Sequence, residues 1–336
     1  MGYQSLTVSN QNIPPPQKTS INQTKKNTNH QKTEKMEIIN SLPQQTGRTF
    51  IVTGANTGLG YETTMMLAKK GAKVIMACRN MSKANAAKAN ILKEVPKADL
   101  DVLEIDLSSL KSVRSFVKAY QAKYNKLDVL VNNAGVMMPP YSKIEDGFEL
   151  QFGANYLGHF LLTGLLLQTI TKTPNSRIVT LSSLVHKNGK INFADLQSEK
   201  KYSASEAYAK SKLACLMFTR ELQRRLEKAG HQQTISTASH PGIATTELSR
   251  HMPKLVYNVL RYTIAPFLTH APIEGAKPTM LAAIGEAKGG DYFGPTGFNE
   301  FKGKPGKATS TPLSNDEAIA NQLWEVSEKL VGLNYL

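Results

Sequence analysis

The stretch TGANTGLG at residues 53–60 decides the fold, because it places Gly54, Gly58 and Gly60 between an apolar run and a helical pattern. TFIV precedes it with the character of a buried strand, and YETTMMLAKKG follows it with the pattern of a helix. A glycine-rich turn at such a place lets the backbone approach a pyrophosphate at the helix N-terminus, which offers N–H groups and a partial positive charge. Three glycines alone are a weak signal, but the order of strand, turn and helix predicts a dinucleotide site.

Downstream of this turn, short apolar runs alternate with longer amphipathic segments. The predicted strands are 49–53, 73–78, 101–105, 128–132, 177–182 and 234–239. The predicted helices between them include 61–70, 108–124, 148–170 and 207–229. Strands that are apolar on both faces and alternate with helices predict an α/β fold with one doubly wound parallel sheet, covered by helices on both faces.

The first 46 residues differ in composition from the remainder of the 336-residue chain. They are rich in Asn, Gln, Thr and Lys, contain PPP at 14–16 and show no periodicity, which predicts a disordered polar extension over residues 1–46. The extension is interpreted either as a dispensable segment, with Met36 as the working start, or as a targeting arm. Residues 47–336 are predicted to form one α/β domain.

Charge and cysteine usage exclude several classes of partner. The net charge is +15, but no run of five or more basic residues occurs and no basic stretch is interleaved with aromatics, so no nucleic-acid binding is predicted. The two cysteines, Cys78 and Cys215, cannot form a disulfide framework and favour a reducing compartment. No stretch predicts a membrane span or a secretory signal. We therefore predict a cytoplasmic protein, with peripheral contact to a membrane surface as the alternative.

The end of the second predicted strand carries information about the cofactor. An NAD site usually has an Asp or Glu there, about twenty residues past the glycines, to bind the adenosine ribose. This chain has ACRN, with Arg79 at the turn. A carboxylate would repel the 2′-phosphate of NADP, whereas a guanidinium can bind it in a fork. Arg79 therefore predicts NADP(H) as the cofactor; the alternative is a solvated loop residue.

The segment YAKSK at 208–212 places Tyr208 and Lys212 four residues apart on one face of a predicted helix. An ordinary phenol has a pKa of about 10 and transfers protons poorly at neutral pH, but a nearby ammonium favours its ionised form. The pair therefore predicts a proton relay. Its alternative is an aromatic ring packed under a lysine stem.

Other polar and small residues follow the ends of predicted strands. Ser182 and Ser183 end the fifth strand, NNAG at 132–135 ends the fourth, and SHPG at 239–242 follows the sixth. Asn155 in ANYLGHF belongs to a helix predicted to line the same crevice. Because ligands of parallel α/β sheets bind outside the carboxyl ends of the strands, these residues are expected to surround one site.

Together, these motifs resemble the short-chain dehydrogenase/reductase family, from about residue 48 to the C-terminus. The resemblance implies a Rossmann-type domain in which Tyr208 protonates a carbonyl oxygen that Ser183 holds, the second serine of such a pair being the usual one. It also implies that Lys212 binds the nicotinamide ribose and that Asn155 orders a water. The cofactor contacts that it implies are Gly54, Asn56, Thr57, Gly58, Leu59, Gly60, Arg79, Asn80, Asp106, Leu107, Asn133, Ala134, Gly135, Tyr208, Lys212, Pro241, Gly242 and Thr245.

Within that family, the chain is similar to the branch that contains the retinol dehydrogenases and the light-dependent protochlorophyllide reductases. VIMACRN, NYLGHFLLTGLLL and LWEVSEKLVGL carry this similarity. It implies a lipophilic carbonyl or alcohol substrate, such as a retinal-like molecule, an aldehyde or a ketone, and homo-oligomers are common in the family. The alternatives are a pigment reductase, disfavoured by Ile243 where that branch has a cysteine, and a non-catalytic NADP(H) sensor, disfavoured by the complete catalytic set.

Two further features concern the substrate and metals. The segment HMPKLVYNVLRYTIAPFLTH at 251–270 can form an apolar helical face, which predicts either a substrate lid around 246–270 or a helix packed on the core. His159, His186 and His240 are not paired with other ligands at metal spacing. They are interpreted as packing or surface residues, and no metal is predicted.

Overall fold

The structure is a computed structural model, which describes residue 2, residues 40–243 and residues 270–336. Thr245 and all of the predicted lid except His270 lie outside the described residues, as does most of the predicted N-terminal extension. Residues 42–336 form one compact unit, and residues 1–41 are a separate one. The sheet and its surrounding helices belong to the larger unit.

One sheet organises the described part of the chain. Its eight strands lie in the order β3-β2-β1-β4-β5-β6-β7-β8, and all neighbours are parallel except β7 and β8. The predicted doubly wound parallel sheet is confirmed, with one antiparallel edge strand added. The strands are β1 Thr49–Thr53, β2 Lys73–Cys78, β3 Asp99–Glu104, β4 Val129–Asn132, β5 Ser176–Leu181, β6 Thr234–Ser239, β7 Tyr292–Pro295 and β8 Pro305–Lys307.

Helices cover the sheet on both faces. Helix α1 packs against α6 on one face, and α3 packs against α4 on the other. Helix α7 lies outside α5 and contacts it. A π-helical segment, Phe152–Leu157, leads directly into α4. The helices are α1 Gly58–Lys69, α2 Met81–Glu94, α3 Leu110–Lys123, α4 Gly158–Thr171, α5 Ala204–Lys228, α6 Pro272–Ile284 and α7 Glu317–Val331.

The segment before β1 packs against the end of α1. The backbone N–H of Gln45 donates to the carbonyl of Lys70 at 2.7 Å, and Lys70 Nζ donates to the carbonyl of Leu42 at 2.6 Å. Leu42 and Gln45 are buried. Leu42 and Gln45, which the sequence placed in the polar extension, are therefore part of the larger unit.

An aromatic cluster attaches α7 and the residues after it to the body of the unit. Trp324 stacks on Phe218 with ring centroids 5.8 Å apart, and it meets Phe160 edge-on at 5.0 Å. The hydroxyl of Tyr335 donates to the carbonyl of Phe160 at 3.0 Å. The ring of Tyr335 lies against Gly164, where an added Cβ would be 2.5 Å from the ring. The rings of Trp324 and Tyr335 therefore pack on helices α4 and α5.

None of the described helices is both long enough and apolar enough to span a lipid bilayer.

Candidate active site

The glycine turn after β1 is closed tightly against the neighbouring strand end. Gly54 and Gly58 have left-handed backbone φ values of +66° and +54°, which glycine adopts at little cost. A Cβ on Gly60 would lie 2.3 Å from the carbonyl oxygen of Gly54 and 2.6 Å from Nδ2 of Asn133. Thr57 is the N-cap residue of α1. The first two glycines are therefore required by backbone conformation, and the third is required by lack of space for a Cβ.

A cleft opens beside this turn, at the carboxyl ends of the parallel strands. Residues from the turns after β1, β2, β3 and β4 line it, together with residues near the π-helical segment. The sequence had predicted several of these residues as cofactor contacts, and the structure brings them to one place. The lining residues are Gly54, Asn56, Ala77, Cys78, Arg79, Ile105, Asp106, Leu107, Ser108, Ala134, Gly135, Val136, Leu150 and Ala154.

Arg79 lies at the rim of the cleft, and its side chain is 63% exposed. Its Nη1 is 3.8 Å from Oδ2 of Asp106, whose other oxygen accepts the backbone N–H of Ser108 at 2.9 Å. Asn80, also a predicted cofactor contact, uses its side-chain oxygen to accept the N–H of Lys83 at 2.9 Å and so caps α2. The guanidinium is thus oriented by a loose ion pair, while the oxygen of Asn80 has a structural role.

Cys78 lines the same cleft as a buried thiol. Burial raises the pKa of the Cys78 thiol to about 11, although N–H groups of Ala55 and Asn56 act in the opposite direction. The thiol is therefore protonated at neutral pH and is a poor nucleophile.

Tyr208 and Lys212 lie together on α5, and each is 5% exposed. The Nζ of Lys212 is 5.9 Å from the centroid of the Tyr208 ring. It donates to the carbonyl of Leu181, the last residue of β5, at 3.0 Å. A Cβ on Gly135 would be only 3.6 Å from this Nζ, so the lysine reaches the turn after β4. Lys212 therefore lies next to the NNAG turn, and Tyr208 lies beside Lys212.

The two serines after β5 differ in their surroundings. The Ser182 hydroxyl is buried and donates to the carbonyl of Lys212 at 2.7 Å, which ties β5 to α5. Ser183 is half-buried, and its oxygen accepts a long contact of 3.5 Å from the N–H of Val185. Of the two serine hydroxyls, that of Ser182 is engaged in a buried structural hydrogen bond.

Asn155 lies in the π-helical segment Phe152–Leu157 and connects two elements. Its Oδ1 accepts the N–H of Val136 at 2.7 Å, and its Nδ2 donates to the carbonyl of Val136 and to the hydroxyl of Ser211, both at 3.0 Å. Local π-helical turns occur frequently at functional sites. The sequence predicted an ordinary helix over 148–170, because an apolar pattern does not distinguish a π-helical turn within it.

The segment after β6 is held by the loop between β7 and β8. Gly242 has φ +68°, and its N–H donates to Nδ1 of His240 at 3.1 Å. The N–H of Ile243 donates to the carbonyl of Phe301 at 2.9 Å. The Nε2 of His240 lies 3.5 Å from Oε2 of Glu300. Pro241 and Gly242 thus belong to a segment that contacts the loop between β7 and β8, whereas Thr245 lies outside the described residues.

Two residues of this region were missed as functional candidates. Thr53 ends β1, and His159 was interpreted only as a packing or surface residue. Both are buried, and their side chains contact each other at 2.9 Å. The spacing of four residues between Asn155 and His159 was the only signal in the sequence, because contact with β1 depends on how the helix packs on the sheet.

Glu300 supports the segment after β6 through its charge. Burial alone would raise the pKa of Glu300, but contacts with His240 and hydrogen bonds from Thr309 hold it at about 2. A carboxyl group whose pKa is lower in the folded than in the unfolded state stabilises the fold above about pH 4.5, and this stabilisation disappears as the pH falls towards 2. The ionised Glu300 carboxylate therefore contributes to the stability of the fold at neutral pH.

We expect Glu300→Gln to lower the melting temperature by a few degrees near neutral pH, and the difference from wild type to shrink as the pH falls through the interval from about 5 to 3. Thermal unfolding followed by circular dichroism at a series of pH values measures this difference. Glu286→Gln, at an exposed position, is the matched control and should show little difference at any pH. A Glu300→Gln difference that is independent of pH would contradict the assigned role of the charge.

Comparison with known proteins agrees with this geometry. The family model for short chain dehydrogenases matches residues 48–254. Human retinol dehydrogenase 14 is 43% identical over 305 residues, which cover 85% of this chain and 87% of that protein. Mouse retinol dehydrogenase 13 is 44% identical over 294 residues, which cover 85% of this chain and 84% of that protein. A solved structure of an uncharacterised protein from Mycobacterium paratuberculosis is 37% identical, with a TM-score of 0.73, and the match covers 89% of this chain and 98% of that one.

The chain therefore belongs to the short-chain dehydrogenase family, whose members are oxidoreductases that use a nicotinamide cofactor. Its sequence is similar to retinol dehydrogenases over most of its length. The resemblance predicted from the motifs is confirmed at both levels.

Proposed function

We propose that the chain is an NADP(H)-dependent oxidoreductase that transfers hydride between the nicotinamide and a lipophilic carbonyl or alcohol. The observation that carries the proposal is that Lys212 and Asn155 meet beside Gly135, with the ring of Tyr208 next to the Lys212 ammonium. The nicotinamide supplies or accepts the hydride when it is bound. The residues of the chain bind the cofactor, orient the carbonyl group and move one proton.

The shape and charge of the cleft support this cofactor. Gly54 and Gly60 let the turn after β1 pack closely against itself and against the NNAG turn. This compact turn leads into the N-terminus of α1, which is the proposed site of the pyrophosphate. Arg79 is the proposed ligand of the 2′-phosphate, because its exposed guanidinium has donors in addition to those facing Asp106. Asp106 is the proposed contact of the adenine. The nicotinamide end is assigned to Asn133–Gly135 and to Pro241, Gly242 and Thr245.

In the proposed reaction, Tyr208 donates a proton to the carbonyl oxygen during reduction and takes it back during oxidation. Ser183 holds the same oxygen by a hydrogen bond, and the engagement of Ser182 with the backbone of Lys212 supports this choice of serine. The Lys212 ammonium binds the nicotinamide ribose and stabilises negative charge that develops on the tyrosine oxygen. Asn155 holds a water that connects this site to solvent.

The similarity to retinol dehydrogenases supports a retinal-like molecule, another lipophilic aldehyde or a ketone as the substrate class. A lipophilic substrate also partitions into membranes, so we include peripheral membrane contact of a cytoplasmic protein in the proposal. Self-association into homo-oligomers is a further expectation of the family resemblance.

The test is NADPH consumption by the purified protein with retinal, long-chain aldehydes, steroid ketones and small carbonyls, with NADH measured in parallel. Turnover with NADPH that is confined to bulky lipophilic carbonyls is the expected result. A protein that binds NADPH but reduces none of these compounds would contradict the proposal and favour a sensor. Light-dependent loss of protochlorophyllide, seen only with the protein and NADPH, would favour the pigment reductase.

We expect Arg79→Gln to lower kcat/KM with NADPH by about 10- to 100-fold and to leave kcat/KM with NADH within about threefold, because only NADPH carries the phosphate that the guanidinium binds. Initial rates with both cofactors measure the ratio. Lys228→Gln removes one positive charge from an exposed position on α5 and is the matched control for net charge. Equal losses with both cofactors in Arg79→Gln would contradict recognition of the phosphate.

A further inference from the structure

A buried chain of hydrogen bonds connects the turn after β4 to Asn155. His159, on α4, is only 2% exposed. Its Nδ1 is 2.9 Å from the carbonyl oxygen of Asn155, and its Nε2 is 2.9 Å from the hydroxyl oxygen of Thr53. The Thr53 oxygen accepts the backbone N–H groups of Asn133 and Ala134, each at 2.9 Å. One imidazole thus joins the π-helical segment to the end of β1 and, through it, to the NNAG turn.

The direction of each of these hydrogen bonds follows from which atoms can donate a proton. A carbonyl oxygen only accepts, so the ring proton of His159 lies on Nδ1. Burial lowers the pKa of His159 to about 4, so the ring is neutral at pH 7 and its Nε2 accepts. Thr53 then donates its hydroxyl proton to Nε2, and both lone pairs of its oxygen receive the two backbone N–H groups. The alternative acceptor of this proton, the carbonyl of Val131, is farther away at 3.4 Å.

These bonds fix two parts of the candidate site relative to each other. Asn133 and Ala134 lead directly to Gly135, where an added Cβ would lie 3.1 Å from Oδ1 of Asn155. The Asn155 side chain already binds Val136 on the far side of this glycine. The His159 ring adds a second connection, to the backbone of Asn155. Because Thr53, Asn155 and His159 are buried, losing one of these partners leaves a donor or acceptor that water does not readily replace.

We propose that His159 is a positioning residue for hydride transfer, which acts with Thr53 to hold the NNAG turn and Asn155 in one geometry. The inference rests on the proposed function, because it takes Asn155 and the NNAG turn as parts of the reacting site. His159 itself touches neither substrate nor cofactor in this assignment.

The main test compares Thr53→Val, which keeps the shape of the side chain and removes the hydroxyl, with Thr53→Ser, which keeps the hydroxyl. We expect Thr53→Val to lower kcat by about 10- to 100-fold with little change in KM for the carbonyl, and Thr53→Ser to recover most of this loss. His159→Phe should lower kcat to a similar extent. Equal kcat values for wild type, Thr53→Val and His159→Phe would overturn the proposal, as would a loss in Thr53→Val that serine does not recover.

The double variant separates a shared device from two independent packing defects. If Thr53 and His159 act through the same series of hydrogen bonds, the double variant Thr53→Val/His159→Phe should have a kcat close to that of the less active single variant. Losses that multiply would overturn the coupling. If His159→Phe does not fold, the protonation of the His159 ring measured by NMR tests its part in these hydrogen bonds, and the Thr53→Val and Thr53→Ser pair tests the part of the hydroxyl.

Two measurements on the protein without substrate distinguish failure of this inference from failure of the proposed function. Nitrogen NMR of labelled histidine should show His159 neutral and protonated at Nδ1 at pH 7; a charged ring or an Nε2 proton would overturn the assignment. Hydrogen exchange of the Asn133 and Ala134 amides should be faster in Thr53→Val than in Thr53→Ser. Equal exchange rates would contradict the assigned hydrogen bonds to the Thr53 oxygen. Absence of carbonyl turnover in wild type, with both results as expected, would refute the proposed function and, with it, the role in hydride transfer.

Discussion

Replacing Tyr208 by phenylalanine is expected to lower kcat on the order of 1,000-fold, while the dissociation constant for NADPH stays within about twofold of wild type. The substitution removes the hydroxyl that would exchange a proton with the carbonyl oxygen. It keeps the aromatic ring, which is buried on α5 beside the Lys212 ammonium. Packing and cofactor binding should therefore survive while proton transfer is lost. Steady-state NADPH oxidation and a fluorescence titration with NADPH measure the two quantities.

Tyr124→Phe is the matched control for this experiment. The Tyr124 hydroxyl donates to Oδ2 of Asp101 at 2.6 Å, at the end of α3, so its removal affects a structural hydrogen bond. We expect this variant to lose some thermal stability and to keep its kcat. If Tyr208→Phe retained more than about a tenth of the wild-type kcat, another group would have to supply the proton, and the assigned role of Tyr208 would be wrong.

The second large effect is expected from Gly60→Ala. The new Cβ would lie 2.3 Å from the carbonyl oxygen of Gly54 and 2.8 Å from its carbonyl carbon, both of which are backbone atoms. It would also press on Nδ2 of Asn133, which donates to the carbonyl of Thr53 at 2.7 Å. The turn cannot relieve this overlap without moving the surface proposed to bind the pyrophosphate. We therefore expect the dissociation constant for NADPH to rise on the order of 100-fold, measured by calorimetry.

Gly164→Ala separates this local effect from general destabilisation. Gly164 also lies within a helix, so alanine changes the helix propensity in the same way at both positions. The Cβ at position 164 would meet the ring of Tyr335 at 2.5 Å, far along the chain from the glycine turn. We expect Gly164→Ala to lower the melting temperature and to leave NADPH binding unchanged. Equal weakening of NADPH binding in both variants would attribute the Gly60→Ala effect to instability.

Buried strands were predicted best, because a parallel strand covered on both faces is rich in apolar and β-branched residues. The predictions 49–53, 73–78 and 234–239 coincide with β1, β2 and β6. Strand β7, with the sequence YFGP, was missed, since its glycine and proline have low strand propensity. Its strand conformation comes from pairing with β6, which is distant in the sequence, and with β8, the next strand along the chain.

For the candidate site, motif order predicted which strand ends would meet, but not how polar atoms would pair. The neighbourhood of Tyr208 and Lys212 follows from helix spacing, so the sequence contained it. The contact between His159 and Thr53 joins residues 106 positions apart, and it depends on how α4 packs on the sheet. The oxygen of Asn80 caps its own helix, a pairing that the sequence analysis did not predict, and the cofactor contact of Asn80 stays a prediction. The roles assigned to these residues stay predictions until the variants are measured.

The burial of both cysteines has a practical consequence for spectroscopy. Cys78 and Cys215 are each 1% exposed, and burial raises the pKa of both thiols, so neither should react readily with maleimides. A cysteine introduced at an exposed position would then be the single attachment point for a fluorophore or spin label. The natural sequence already provides the unreactive background that such labelling normally requires, so both native thiols can be kept.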